Sequence, residues 1–353
     1  MRLFILTSTD YAASKPILFQ QVVDIINAGS TSAQLQFYIV GAHFPLDFQA
    51  LYAHNDQVTL LTQYQAEKLI TEVTNAMVLH FGSSLKGSKQ FPQYFLPLSH
   101  PGLMMDCSFI KQIQHRISFN QYLNKAAGMI CLNDWSLNSL KLLYPKLANR
   151  FAAIGIPNRD PVSFDWVQLS ELKESLTSGH NYFLAFVPVD YFTTTLKEFS
   201  IFKKWQQTTM SIVFVFENPK QLERAAELLK GYKYKEAVVL KCMSDLTPQW
   251  IAATYAILWD AIDFDKTSFI EWAIHYEVPM LFNHNPTQPE SWLKAGEVFS
   301  FYEKLALSNR FKLYYKDEVY RQARAKMGKE WLEVLHTQWA IQGLPSLSNY
   351  FQL

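Results

Sequence analysis

Apolar runs of strand length recur along the chain, at residues 3–6, 35–40, 58–61, 76–81, 94–98, 129–132 and 152–156. Stretches with helical spacing separate several of them, at 15–28, 65–75, 109–125 and 134–146. The rhythm resumes later, where strand-like runs at 182–187, 212–216, 237–240, 256–259 and 278–282 alternate with helix-like stretches at 196–206, 219–230, 250–254 and 267–276. The runs are continuously apolar rather than alternating, which implies parallel sheets covered on both faces by helices. A last helix, 316–335, carries Val319, Ala323, Met327, Trp331 and Leu335 every four residues.

Between the two series lies Pro157-Asn158-Arg159-Asp160-Pro161, followed by a polar stretch ending at Ser178-Gly179-His180-Asn181. Prolines and turn formers there predict an inter-domain linker. The expected organisation is a Rossmann-like domain over 1–160, a second over 161–320, and a helix and tail over 321–353 that cross back to the first. Two such α/β domains facing each other across a cleft place a ligand at the carboxyl ends of their strands.

A chain of 353 residues suits two domains, and 49% hydrophobic with 18% charged residues suits well-buried interiors. A net charge of +1 gives no bulk electrostatic reason to expect nucleic acid as partner. Cys107, Cys131 and Cys242 are odd in number and widely spaced, so neither a disulfide framework nor a CxxC pair is expected. The N-terminal apolar run is too short for a signal peptide, and no run approaches a membrane span, so a cytoplasmic location is expected. The histidines form no HExxH or HxxxH pair, no serine sits in GxSxG, and no GxGxxG or GxxxxGK occurs. No metal site or bound cofactor is therefore expected.

In the second half, several segments occur in a telling order. Tyr182-Phe183-Leu184-Ala185-Phe186-Val187 precedes Phe199-Ser200-Ile201-Phe202-Lys203-Lys204-Trp205-Gln206; Leu229-Lys230-Gly231-Tyr232-Lys233-Tyr234 precedes the run 237–240; Thr254-Tyr255-Ala256-Ile257-Leu258-Trp259 follows. Next comes Asp263-Phe264-Asp265-Lys266-Thr267-Ser268-Phe269-Ile270-Glu271, then Trp272-Ala273-Ile274 and Glu277-Val278-Pro279-Met280, with Pro289-Glu290 and Ala295-Gly296-Glu297 beyond. This series resembles the donor domain of retaining glycosyltransferases of family four, whose ExxxxxxxE signature is matched in spacing with aspartate in the first acidic place. Ala127-Gly128-Met129-Ile130-Cys131-Leu132-Asn133-Asp134-Trp135-Ser136 resembles a strand and helix start of the family's first domain. The resemblance covers roughly residues 75–335.

It implies the GT-B fold, a nucleotide sugar such as a UDP- or GDP-sugar as substrate, and a glycan or lipid-linked acceptor, the latter bringing peripheral contact with a membrane. Carried over by position, Glu271 would hold the nucleotide ribose and Asp263 would face the sugar. His100, in Leu98-Ser99-His100-Pro101-Gly102, stands where related enzymes often carry a histidine beside the acceptor.

Transfer from a nucleotide sugar must also neutralise the charge that grows on the departing diphosphate. The family does this with an arginine and a lysine near the start of its donor domain. Here Val187-Pro188-Val189-Asp190-Tyr191-Phe192-Thr193-Thr194-Thr195 occupies the glycine-loop position without any Arg or Lys, and Glu217 follows the next strand where a base is expected. Glycine makes up 12 of 353 residues, about 3.4% against an average of about 7%. Phe264-Asp265-Lys266-Thr267 replaces the signature's glycines, with Lys266 offering charge from a new direction and Thr267 beside it.

Two functions lead despite the degenerate donor site: a transferase that binds its nucleotide sugar through Glu271, or a catalytically inactive homologue kept as a binding or scaffold subunit with a protein partner; a third, a sugar epimerase sharing the architecture, would require phosphate-binding residues for which the sequence shows no motif. The residues themselves also allow plainer roles. Asp263, Asp265 and Thr267 suit a helix cap, Glu271 suits a solvent-facing helix position, and His100 suits a structural histidine.

Overall fold

The computed structural model describes residues 2–6, 36–41, 58–72, 76–81, 93–96, 127–131, 144–153, 162–260, 267–284 and 293–338, together with positions 123, 137 and 140–142. The chain divides into two compact units, one formed by Met1–Asn158 with Asp263–Asp265 and His336–Leu353, the other by Arg159–Ile262 and Lys266–Leu335. Positions from 339 onward lie outside the described residues.

In the first unit the apolar runs become seven strands: β1 (Arg2–Leu6), β2 (Gln36–Gly41), β3 (Val58–Thr62), β4 (Ala76–Phe81), β5 (Gln93–Leu96), β6 (Gly128–Cys131) and β7 (Phe151–Ala153). Their order is β3-β2-β1-β4-β5-β6-β7, and every pairing is parallel, with Leu3 opposite both Phe37 and Met77. Parallel neighbours need crossovers, and α1 (Gln63–Glu72) leaves β3 with Ala66 and Ile70 buried four residues apart. A small core of Leu123, Met129, Cys131, Leu140 and Phe151 lies beside β6 and β7.

The second unit holds α2 (Trp166–Thr177), β8 (Tyr182–Phe186), α3 (Val189–Gln206), β9 (Ser211–Phe216), α4 (Pro219–Leu229), β10 (Val238–Cys242), α5 (Pro248–Ala253), β11 (Ala256–Trp259), α6 (Thr267–His275), β12 (Met280–Asn283), β13 (Gly296–Phe299), α7 (Ala306–Lys316) and α8 (Glu318–Gln338). The strand order is β10-β9-β8-β11-β12-β13, again parallel throughout. The chain winds one way from β8 to β10 and the other way from β11 to β13, so the topological switch lies between β8 and β11. All residues of β8, β9 and β11 are buried, as continuous apolar runs require when both faces are covered.

One face of this sheet is packed with phenylalanine. Phe183 of β8 lies 4.4 Å from Phe311 of α7 and 5.7 Å from Phe202 of α3, ring centre to ring centre, and all three are fully buried. Burying each ring contributes roughly 2–3 kcal/mol. Where β13 meets β12 the backbones approach too closely for a side chain, since a Cβ on Gly296 would fall 2.0 Å from the Met280 carbonyl oxygen.

Four elements differ from the sequence expectation. The stretch read as linker contains α2, started by a reciprocal cap in which Asp165 accepts from the Gln168 N–H at 2.8 Å and Gln168 Oε1 accepts from the Asp165 N–H at 3.0 Å. It ends at Ser178 and Gly179, both at positive φ. The second difference is α3, which begins at Val189 rather than 196, so the segment aligned with a glycine loop is already helical. Pro188 fixes the entry, and Phe192 and Thr195 turn into the core. Strand β13 and helix α7 are the other two. The N-terminus of α7 has no cap of its own because Leu305 precedes it at φ 66°. Glu198 of α3 serves instead, accepting from the Ser308 N–H at 2.9 Å and from the Leu305 N–H at 3.3 Å.

Candidate functional site

In an open parallel sheet the ends of adjacent strands diverge at the switch point, leaving a crevice beyond their carboxyl ends. In the second unit that place is bounded by the ends of β8 and β11. The Asp260 N–H, directly after β11, donates to the Phe186 carbonyl of β8 at 2.9 Å. The Asp260 side chain is buried, 8% exposed, and its Oδ1 accepts from Asn283 Nδ2 at 2.6 Å. Asn283 Oδ1 in turn accepts from the Phe301 N–H at 3.3 Å, while the His284 N–H donates to the Phe299 carbonyl at 2.7 Å. Asp260 and Asn283 thereby tie together the ends of β11, β12 and β13.

Helix α6 leaves this edge and carries the acidic residue singled out by sequence. Glu271 is buried, 8% exposed, rather than facing solvent. Its helix is fixed by Phe269, which stacks on Phe186 at 5.6 Å with 12° between the planes, and by the buried Ile270, Ala273 and Ile274. A carboxylate buried on a helix that leaves the switch point is costly to desolvate unless it is partnered. Thr267 is the first residue of α6. Asp263, Lys266 and His100 lie outside the described residues, as do Phe264, Asp265 and Pro289-Glu290.

At the start of α3, Asp190 sits in the first turn, where a carboxylate is favoured by the helix dipole. Its Oδ1 pairs with Arg224 Nη2 of α4 at 2.8 Å, both side chains being about half exposed. Arg224 thus delivers a guanidinium to the region where the sequence showed no cation. Sequence reasoning missed it because it comes from the next helix rather than from the loop. Glu217, at the end of β9, is exposed; its N–H donates to Gln221 Oε1 at 3.1 Å, and Asn218 caps α4 by accepting from the Gln221 N–H at 3.1 Å. Asp260 was missed as well, although it directly follows a fully buried strand.

Among the described residues no group of three or more His, Cys, Asp and Glu side chains is arranged to hold a metal ion. No helix among them is long and apolar enough to cross a membrane.

No protein-family model matches this chain, and no curated protein sequence does. Solved structures match over nearly its full length. HepE of Anabaena in complex with UDP-glucose superposes with a TM-score of 0.71 at 13% identity, covering 99% of this chain and 100% of its own. A glycosyltransferase from Rickettsia africae gives 0.69 at 10% identity, covering 99% and 98%. WaaG, a glycosyltransferase involved in lipopolysaccharide biosynthesis, gives 0.65 at 12% identity over the same shares. At these identities the likeness is one of fold, and the fold is GT-B: two α/β units, each built on a parallel sheet.

Proposed function

We propose that the chain is a glycosyltransferase of the family-four type, which binds a UDP- or GDP-sugar at the carboxyl edge of the second sheet and transfers the sugar, with retention, to a glycan or lipid-linked acceptor. The observation that carries the proposal is the burial of Glu271 on the helix leaving the switch point, in a chain whose fold matches that of HepE with UDP-glucose over 99% of its length. In this reading Glu271 accepts hydrogen bonds from the ribose hydroxyls, and Asp263 faces the sugar.

In this reading the diphosphate lies at the start of α3, where the helix dipole favours an anion. The rebuilt part of the site is the cation. Arg224 takes the place of the family's arginine and lysine, and Asp190 holds it until phosphate displaces that carboxylate. Exchanging an exposed carboxylate partner for a diphosphate costs little, because an exposed pair contributes only about 0–1 kcal/mol. Lys266 adds a second charge from the segment before α6, and His100 stands beside the acceptor.

Release of UDP from UDP-glucose, followed by mass spectrometry with short glucans and polyprenyl phosphate as acceptors, tests the transferase reading. Transfer products that disappear in Glu271→Ala would support it. A protein that binds UDP-sugars and releases none of the sugar with any acceptor would instead be a binding subunit.

A further inference from the structure

Tyr302 is the most exposed large side chain among the described hydrophobic residues, at 87%. A solitary exposed aromatic needs no explanation, but this one is neither solitary nor loose. Its hydroxyl lies 3.3 Å from that of Tyr191, in the first turn of α3. The Tyr191 ring stacks on Phe301 at 4.7 Å with 6° between the planes, and Phe301 meets the buried Phe299 edge-on at 4.9 Å. Rings therefore stack from the core at the end of β13 out to Tyr191, whose hydroxyl reaches that of the exposed Tyr302.

The loop that bears Tyr302 is held from both sides. The Phe301 N–H donates to Asn283 and the Leu305 N–H to Glu198, and Leu305 is kept at φ 66°, a conformation that strains a branched side chain. Next to Tyr191 in sequence, Asp190 and its partner Arg224 present a carboxylate and a guanidinium, each about half exposed. An exposed aromatic ring tethered through its hydroxyl, beyond the carboxyl end of β13 and near a first turn of α3 that bears a hydroxyl, a carboxylate and a guanidinium partner, matches the two-sided chemistry of a pyranose, whose axial C–H bonds are apolar and whose rim is all hydroxyl.

We infer that Tyr302, braced by Tyr191 and Phe301, is a stacking platform for a hexopyranose ring. The choice of a sugar over another flat ligand rests on the glycosyl-transfer reading. The platform itself needs no nucleotide, so the two fail separately.

Saturation-transfer difference NMR on the full chain, with maltotriose, cellotriose and UDP as separate probes, tests it. The native protein is expected to transfer saturation to the axial ring protons of at least one trisaccharide. Tyr302→Ala should lower that signal at least about fivefold, Tyr302→Trp should keep it, and Trp166→Ala, which removes another exposed aromatic, should leave it unchanged. Thermal unfolding of each variant establishes that the fold is intact. No transfer to either trisaccharide, or equal transfer in the native protein and Tyr302→Ala, would overturn the platform. UDP signals lost while the trisaccharide signals stand would instead count against the donor site alone.

Discussion

Asn283 at the end of β12 donates to the buried Asp260 carboxylate at the end of β11 across 2.6 Å, and this one bond joins β12 to a strand that borders the switch point where the donor is proposed to sit. Removing Asn283 leaves the buried Asp260 carboxylate short of a hydrogen bond, and removing Asp260 does the same to the half-buried Asn283. Asp260→Ala and Asn283→Ala should each cost roughly 1–3 kcal/mol, and the double variant should cost clearly less than the sum. Urea unfolding of the three variants measures this. Additive losses would show that the two side chains do not depend on each other.

The cap that α3 supplies to α7 gives a second expectation. Glu198 takes N–H groups from Leu305 and Ser308 and the Ser308 hydroxyl, joining two helices that share the phenylalanine face. Glu198→Ala should lower stability by roughly 1–2 kcal/mol, with Glu198→Gln intermediate because it keeps an acceptor. Chemical denaturation reads both, and a neutral Glu198→Ala would contradict the cap.

Trp259 is fully buried beside Phe186, yet among the described residues its indole Nε1–H finds no hydrogen-bond partner. A buried donor without an acceptor forfeits its hydration for nothing. Trp259→Phe, which removes the donor and keeps most of the ring, should fall within about 1 kcal/mol of the native stability. Trp259→Ala should cost about 3–5 kcal/mol. Thermal unfolding separates the two, and a Phe variant as unstable as the Ala variant would mean the indole N–H does have a use.

Acid should loosen the start of α8. Hydrogen bonds from the Arg321 guanidinium, helped by Gln322 and Tyr255, hold the Glu318 carboxyl at about 2 against an ordinary value of 4.5. A carboxyl whose folded value lies below its unfolded one stabilises fully above the unfolded value, and the contribution is lost as pH falls from 4.5 toward 2. Glu318→Gln should therefore be less stable than the native protein at neutral pH and should flatten the fall in stability over that window, the two converging in acid. Denaturation midpoints recorded from pH 6 downward check it, and parallel curves would contradict it.

Much of the architecture was legible because buried parallel strands are continuous apolar runs. Residues 256–259 and 76–81 were located to the residue, as Ala256–Trp259 and Ala76–Phe81. Helix α2 was read as linker because its surface is polar and only Thr177 is buried, although Asp165 and Gln168 three apart are a cap signal in plain view. The early start of α3 was hidden by alignment to a glycine loop, while Phe192 and Thr195 already carried helical spacing toward the core. Of the candidate site, Glu271 was singled out from its spacing to Asp263, a relation local in sequence. Arg224 and Asn283 reach their partners Asp190 and Asp260 across 34 and 23 positions, and only folding brings such pairs together.

Calorimetric titration of UDP and UDP-glucose into the native protein, Glu271→Ala and Arg224→Ala tests the donor site most directly. The account predicts micromolar binding by the native protein, lost in Glu271→Ala and weakened roughly tenfold or more in Arg224→Ala, since a charge-assisted phosphate contact contributes about 1.5–3 kcal/mol. Absence of binding by UDP and UDP-glucose, and by GDP and GDP-mannose titrated in the same way, at millimolar concentration, or full affinity in both variants, would contradict it.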